Sequence, residues 1–318
     1  MPRILLLKTS SLGDVVHNLP VVSDVAAAMP DTVIDWVVEE SFAAIPQLHP
    51  RVSRVWPVAV RRWRRALWNP AVWGGVRAFI GELRGQRYDA VIDTQGLLKS
   101  AWITGLARGT RHGLDRASAR EPLGILFCDH THAVPWGQHA VERNRSLAAQ
   151  ALGYVPAGAP HYGIVAAPQA FNCLPSSAYA VLLHATSAAR KLWAEEHWIA
   201  LGRVLAAQSV SSVLPWGDAA ERERSVRLAA QIPQAVVPDR FELHALASLL
   251  AGARVVVGTD TGLTHLAGAL GVPTVGIYCA TDPAATGLYG CARALNLGGV
   301  GTPPSAAAVI AAARRMIA

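Results

Sequence analysis

The segment at residues 254–276, R-V-V-V-G-T-D-T-G-L-T-H-L-A-G-A-L-G-V-P-T-V-G, restricts the fold more than any other part of the chain. Val255, Val256 and Val257 are consecutive β-branched residues, the pattern of a strand buried on both faces in a parallel sheet. Gly258 is expected to end that strand, and Thr259-Asp260-Thr261-Gly262 to form a tight polar turn. Leu263, Leu266, Ala267 and Leu270 then recur at helical spacing, with Gly271 closing the helix. Pro273-Thr274-Val275 opens the next strand. Open α/β sheets bind ligands at the carboxyl ends of strands, where this turn lies. The free N–H groups and the positive dipole end of the helix favour an anion there, most often a phosphate. Asp260 and Thr261 are also ordinary helix caps. Yet Asp260, Thr261, Thr264 and His265 on one rim are more polar groups than a cap requires.

The same alternation of strand and helix runs along the chain. Strands are expected at residues 3–8, 32–38, 52–58 and 88–94, and helices at 15–29, 70–84, 98–107 and 138–152. After a Pro- and Gly-rich interval with at most one short strand, strands follow at 179–184 and 210–214. Helices are expected at 195–208, 219–231, 242–251 and 306–317. This pattern predicts two doubly wound, Rossmann-like α/β halves in tandem. The boundaries are residues 1–155, a linker at 156–176, and 177–318, the last helix either closing the second half or crossing back to the first. Polar turns after the first strand of each half imply a cleft with carboxyl strand ends facing across it.

Composition narrows the class. The 318 residues are 52% hydrophobic and 16% charged, which suits folded domains and not disorder. No apolar run is long enough to span a bilayer, and Leu5 to Leu7 read as a buried strand, without a signal-peptide pattern. Cys128, Cys173, Cys279 and Cys291 are scattered, which argues against a disulfide framework or structural zinc and fits a cytoplasmic protein. No metal-ligand spacing occurs, and neither G-x-G-x-x-G nor G-x-x-x-x-G-K-[ST] is present, which disfavours NAD binding and P-loop NTP hydrolysis. The net charge of +7 attracts anionic partners. It is concentrated: residues 51–77 hold seven arginines, no Asp or Glu, and Trp56, Trp63, Trp68 and Trp73.

Four groups of residues have the chemistry for a site. Ser10, Ser11, Gly13 and Asp14 follow the first strand; Asp14 is a candidate general base, and Ser11 with Asp14 equally fits a capping box. Thr186, Ser187 and Lys191 precede a helix and suit a diphosphate, or form a solvated basic loop. Glu221 and Glu223, after L-P-W-G-D, could place one carboxylate on a ribose or merely oppose a helix dipole. Arg61, Arg62, Arg64 and Arg65 flank Trp63. Guanidiniums there suit carboxylates and phosphates; Trp56, Trp63 and Trp68 would sit at lipid headgroup level; the same mixture suits single-stranded RNA in a non-catalytic binding protein.

Eight motifs together carry a resemblance. K-T-S-S-L-G-D-V-V-H-N-L-P (8–20), D-W-V-V-E-E (35–40), R-R-W-R (61–64), Y-D-A-V-I-D-T-Q-G-L-L-K-S-A (88–101), A-R-E-P-L (119–123), H-A-V-E-R (139–143), L-P-W-G (214–217) and D-T-G-L-T-H-L (260–266) resemble the lipopolysaccharide heptosyltransferases, glycosyltransferase family 9. The K-T-S-S-x-G-D and R-R-W-R forms favour the type I over the type II branch, which acts on another acceptor. The resemblance implies a GT-B fold, with an acceptor-binding N-terminal and an ADP-sugar-binding C-terminal domain. It implies inverting transfer of L-glycero-D-manno-heptose from ADP-heptose to Kdo of Kdo-lipid A, without metal or other cofactor. The enzyme would be peripheral on the cytoplasmic face of the inner membrane, with no nucleic-acid partner.

Residue by residue, the resemblance makes Asp14 the base and Lys191 the donor-phosphate lysine. Thr186, Ser187, Glu221, Asp260, Thr261, Gly262 and His265 would complete the donor site. Ser10, Ser11, Gly13, Arg61, Arg62, Arg64 and Arg120 would meet the acceptor. The chain departs from the family where Tyr278-Cys279-Ala280-Thr281-Asp282-Pro283 replaces Tyr-Gly-Pro-Thr-[DS]-Pro, and where S-A-A-R-K-L-W (187–193) lacks acids before the lysine.

Overall fold

A computed structural model describes residues 1–66, 68–167, 169, 171, 173–174, 178–186 and 188–317. The chain divides into two compact units, Met1–Ile164 and Val165–Ala318.

In the first unit β1 (Arg3–Leu7) is followed by α1 (Leu12–Val16), α2 (Leu19–Ala28), β2 (Val33–Glu39), α3 (Ala44–Gln47) and β3 (Val52–Val58). Then come α4 (Val60–Arg65), α5 (Pro70–Arg84), β4 (Arg87–Asp93), α6 (Leu98–Leu106), β5 (Arg108–Leu114), a 3₁₀ segment (Pro122–Phe127), β6 (His130–His132) and α7 (Ala140–Leu152). The six parallel strands lie in the order β3-β2-β1-β4-β5-β6. The order reverses at β1, and it is the β1 and β4 carboxyl ends that open onto a binding crevice in such sheets. The central strands are apolar and almost fully buried because helices cover both faces. One core cluster joins Leu5, Leu7, Val37 and Val91 to Trp56, Trp63, Phe79 and Leu83.

The helix expected over 15–29 is two helices, with the break at His17-Asn18. Trp56 and Trp63, expected at a lipid surface, are buried instead. Trp56 Nε1 donates to Tyr88 Oη at 3.0 Å, and Trp63 packs on Phe79. Only the guanidiniums of α4 face outward, so α4 is an amphipathic helix held by its tryptophan.

The second unit contains β7 (Tyr179–Leu183), α8 (Glu195–Ala207), β8 (Ser211–Val213), α9 (Ala219–Ala229), α10 (Leu243–Ala251), β9 (Val255–Thr259), α11 (Gly262–Ala269), β10 (Thr274–Tyr278), α12 (Pro283–Thr286), β11 (Ala294–Gly298) and α13 (Ala306–Ile317). Its five parallel strands lie in the order β11-β10-β9-β7-β8. Gly258 does not end β9; the strand continues through it to Thr259. A Cβ at Gly258 would stand 2.1 Å from Thr264 Oγ1 and 3.0 Å from Leu183 Cβ, so the glycine lets β9 pass between β7 and α11. Gly271 has φ +76° and closes α11 as expected. The last helix closes this unit, where Val309, Ala312 and Ala313 join the core of Trp198, Leu201, Val257 and Ile277.

The border between the two units, Ile164/Val165, falls within residues 156–176. Tyr162 and Ile164 are buried with the first unit. No strand forms among the described residues of 154–177, because Pro and Gly recur too closely for a ladder. β5, β6 and β11 were not expected.

Candidate active site

Two clusters form at strand ends, one in each unit. In the first, the loop 8–14 leaves β1 and is clamped by the residues that follow β4. Gln95 Oε1 accepts from Thr9 N at 2.9 Å and Ser10 N at 3.2 Å, while its Nε2 donates to Ser10 O at 2.6 Å. Below the loop, the buried Lys8 ammonium donates to Thr94 O at 2.6 Å and Asn144 Oδ1 at 3.1 Å. Burial lowers the Lys8 pKa, with Asp14 and Asp93 acting in the opposite sense. Burial raises the Asp93 carboxyl, against hydrogen bonds from Ser100, Gln95 and Gly96 and the charge of Lys8. A buried charge needs such partners to stay in the fold, and here they fix the backbone that carries Asp14.

Ser11 caps α1, and the capping box expected from sequence is formed. Asp14 Oδ2 accepts from Ser11 N at 2.7 Å and Ser11 Oγ at 3.0 Å. The carboxylate is therefore aimed back over the Ser10-Ser11 turn rather than out along the helix, half-buried beside Gly13. Lys99, near the start of α6, reaches across to the same turn and donates to Ser10 Oγ at 2.6 Å. Burial and the neighbouring Arg61 lower its pKa, with Asp14 and Glu39 opposing. Lys99 and Lys8 lie in motifs read from the sequence but were not expected in the site; a lysine two residues into a helix has no period or spacing that marks it.

The arginines divide. The α4 backbone is anchored by Arg61 N donating to Glu39 Oε1 at 3.1 Å, and the Arg61 guanidinium lies over Phe42. Arg64 is exposed on the same helix and acts electrostatically on Lys99. Arg62 instead binds Glu40 with two hydrogen bonds, at 3.1 and 2.9 Å. Arg120 is exposed and lies within the electrostatic reach of Lys8 and Arg143.

In the second unit Asp260 is the hub. Its Oδ2 accepts from Lys191 Nζ at 2.6 Å and Thr281 Oγ1 at 2.7 Å, and its Oδ1 lies 3.2 Å from His265 Nε2. Burial pushes this carboxyl up, but the bonds from His265, Lys191 and Thr281 outweigh it and hold the group well below the usual carboxylate range. Thr186 Oγ1 lies 3.5 Å from Asp260 O. Thr261 is the N-cap of α11, so the amides of Gly262 and Leu263 begin a helix without intrahelical acceptors, whereas Thr264 N donates to Thr261 O at 3.0 Å. Thr259 Oγ1 donates to Leu183 O and Ala185 O and ties the β9 and β7 ends together.

Ser187 lies outside the described residues. Glu221 stands at the start of α9, after β8. Its carboxylate accepts from Gly217 N at 2.7 Å, and Asp218, the N-cap, accepts from Glu221 N. Thr281 was not expected in the site. Its hydroxyl reaches Asp260 although Cys279-Ala280 replaces Gly-Pro just before it, because Cys279 packs in the core and its carbonyl accepts from Gly301 N.

Two α/β units with anion-binding chemistry at their strand ends define a sugar-nucleotide-dependent transferase of the GT-B class. Residues 76–306 match the family model "Glycosyltransferase family 9 (heptosyltransferase)". The chain is 51% identical over 290 residues to lipopolysaccharide heptosyltransferase 1 of Pseudomonas aeruginosa, covering 91% of this chain and 81% of that protein. It matches the structure of Escherichia coli heptosyltransferase WaaC with ADP at a TM-score of 0.90 and 43% identity, over 99% of both chains. The same enzyme with ADP-2-deoxy-2-fluoro heptose matches at a TM-score of 0.85 and 42% identity, covering 96% of this chain and 97% of that one. The chain belongs to glycosyltransferase family 9, and it is a heptosyltransferase of the GT-B fold.

Proposed function

We propose that this heptosyltransferase moves L-glycero-D-manno-heptose from ADP-heptose to a Kdo hydroxyl of Kdo-lipid A, with inversion and without a metal. The observation that carries the donor half is the meeting of Lys191 and Asp260 at 2.6 Å beside the start of α11, although 69 residues separate them in sequence. In this reading the ADP diphosphate lies at the α11 N-terminus, against Lys191 and Thr186, with Thr261 and Gly262 supplying turn amides. Asp260 and His265 hold heptose hydroxyls, and Glu221 the ribose. Ser10, Ser11 and Gly13 position the acceptor sugar, while Arg61, Arg64 and Arg120, together with Lys99, meet its carboxylates and phosphates. Arg62 joins them when it leaves Glu40.

The chemistry is one displacement. Asp14 takes the proton of the acceptor hydroxyl on Oδ1, since both bonds from Ser11 use Oδ2. The freed oxygen forms the bond to the anomeric carbon from the face opposite ADP. The carbon–oxygen bond to the diphosphate breaks, and its electron pair leaves with ADP. Lys191 and the α11 dipole stabilise that charge. Because the acceptor is lipid-anchored, the enzyme works as a peripheral protein on the cytoplasmic face of the inner membrane. No helix among the described residues is long and apolar enough to cross it.

The test is ADP release from ADP-heptose in chelator-treated buffer. Release is expected only when Kdo-lipid A is present. Asp14→Ala should keep its fold and its ADP-heptose affinity and lose about 10³-fold in turnover, the scale of a general base. A wild-type rate in that variant removes Asp14 as the base. Release with an already heptosylated acceptor, but not with Kdo-lipid A, moves the enzyme to the type II reaction.

A further inference from the structure

A single exposed leucine is ordinary on a folded protein, whereas a contiguous apolar rim is not. On α6, Leu98 and Trp102 lie one helical turn apart and are both exposed. On the 3₁₀ segment Pro122–Phe127, Leu123 and Leu126 lie one 3₁₀ turn apart, 64% and 77% exposed. The two elements touch directly. A Cβ at Gly124 would meet Ala101 Cβ at 3.3 Å, and the Phe127 ring covers Gly105. The four exposed side chains are thus carried by two elements in direct contact. α5 packs beside α6 and adds Trp73 in its first turn, with Trp68, 85% exposed, just before it.

Charge identifies what this rim meets. The adjoining α4 presents Arg61, Arg64 and Arg65 to solvent. The acids nearest in sequence are already engaged: Glu121 Oε2 accepts from Leu98 N at 2.5 Å and caps α6, and Glu82 pairs with Arg54 at 3.4 Å. Leucine and tryptophan side chains bordered by exposed arginines are the composition that enters a lipid interface while binding anionic headgroups. The start of α6 also couples this rim to the chemistry. Leu98 points outward, whereas the next residue, Lys99, points inward to Ser10 Oγ beside Asp14. We propose that the face formed by α6, the Pro122–Phe127 segment, Trp68 and Trp73 docks the enzyme on an anionic bilayer. If the acceptor is the lipid-linked sugar proposed above, the same α6 turn brings its sugar to Asp14 while its acyl chains stay in the membrane.

Flotation of the full chain with vesicles tests this. The protein should float with vesicles of phosphatidylethanolamine and phosphatidylglycerol at about 3:1, and stay behind with phosphatidylcholine alone. The double variant Leu123→Ser/Leu126→Ser should bind the anionic vesicles about tenfold less tightly, since it removes the two most exposed aliphatic groups from the interface. It should keep its melting temperature and its turnover on a water-soluble, deacylated acceptor, because neither leucine touches the reacting groups. A wild-type protein that ignores anionic vesicles, or a double variant that binds them as well as wild type, overturns the proposal. So does a wild-type dimer in sedimentation that the double variant abolishes, which gives the rim to a second copy of the chain. Absent turnover on the deacylated acceptor in the wild type would count against the acceptor reading and leave the vesicle result standing.

Discussion

Asp260 shows how much one residue's surroundings decide. Its carboxylate is acceptor to Lys191, Thr281 and His265 at once. In the donor site proposed above, a ligand that draws Lys191 toward its diphosphate would leave Asp260 held by Thr281 and His265, free to take a sugar hydroxyl on the oxygen Lys191 has left. Thr281→Val removes one of the two remaining bonds without changing volume much. The expected result is ADP-heptose affinity about tenfold weaker, the worth of one hydrogen bond to a charged group, with ADP affinity unchanged in calorimetric titration. Equal weakening of both ligands would show that Thr281 supports the loop and not the sugar. His184 makes a second prediction at this scale. Its ring is buried, Nε2 lies 2.8 Å from Ser225 Oγ, and burial with help from Arg224 lowers its pKa to about 4. Between about 6.5 and 4 the unfolded chain binds a proton that the folded chain refuses. The contribution is thus complete above pH 6.5 and disappears as pH falls toward 4, a loss of about 3 kcal/mol over the full shift. Melting temperatures of wild type and His184→Gln should converge as pH is lowered from 7 to 4.5.

At the scale of elements, what was legible in the sequence was what burial imposes. The central strands β1, β7 and β9 carry runs of Val, Leu and Ile, and β4 a shorter buried A-V-I, because helices cover both faces, and they stand out from their surroundings for the same reason. Three strands toward one margin of each sheet were not legible: β5, beside the edge, is R-G-T-R-H-G-L, and the edge strands β6 and β11 are H-T-H and A-L-N-L-G. They are short or polar and carry no hydrophobic period, unlike the edges β3 and β8. The candidate site residues divide differently. Asp14, Lys191 and Asp260 follow legible strands in motifs whose chemistry stands out, whereas Lys99 and Thr281 follow β4 and β10 just as closely and are marked only by their folded contacts with Ser10 and Asp260. Gly258 was read as a stop because glycine weakens strands, yet its neighbours show that it is an accommodation between β7 and α11. Gly258→Ala should lower stability by about 1–3 kcal/mol in urea denaturation, because Thr264 or Leu183 must shift. ADP affinity should fall as well, since α11 begins four residues later. Unchanged stability would mean that the strand relaxes more freely than its packing indicates.

Across the whole molecule the charge is lopsided. Of 29 Lys and Arg and 22 Asp and Glu, 18 and 13 fall in residues 1–164, so five of the seven net positive charges belong to the N-terminal unit. The second unit has its own anion chemistry, but there it is local: Lys191 is already paired with Asp260, and α11 contributes a dipole that decays within a turn. The N-terminal unit acts instead through a field, from Arg61, Arg64, Arg65, Lys99 and Arg120, most of them exposed. Exposed charges are screened over about 10 Å at 0.1 M salt, whereas contacts in a partly buried turn are screened much less. The two substrates should therefore respond differently to ionic strength. Raising sodium chloride from about 50 to 300 mM should increase the acceptor KM several-fold, and should change the ADP-heptose KM by less than about twofold. Steady-state kinetics with a water-soluble acceptor separates this from membrane binding. If the acceptor KM is flat and the donor KM climbs, the arginines of α4 serve the nucleotide and the assignment of the two units to their substrates must be exchanged.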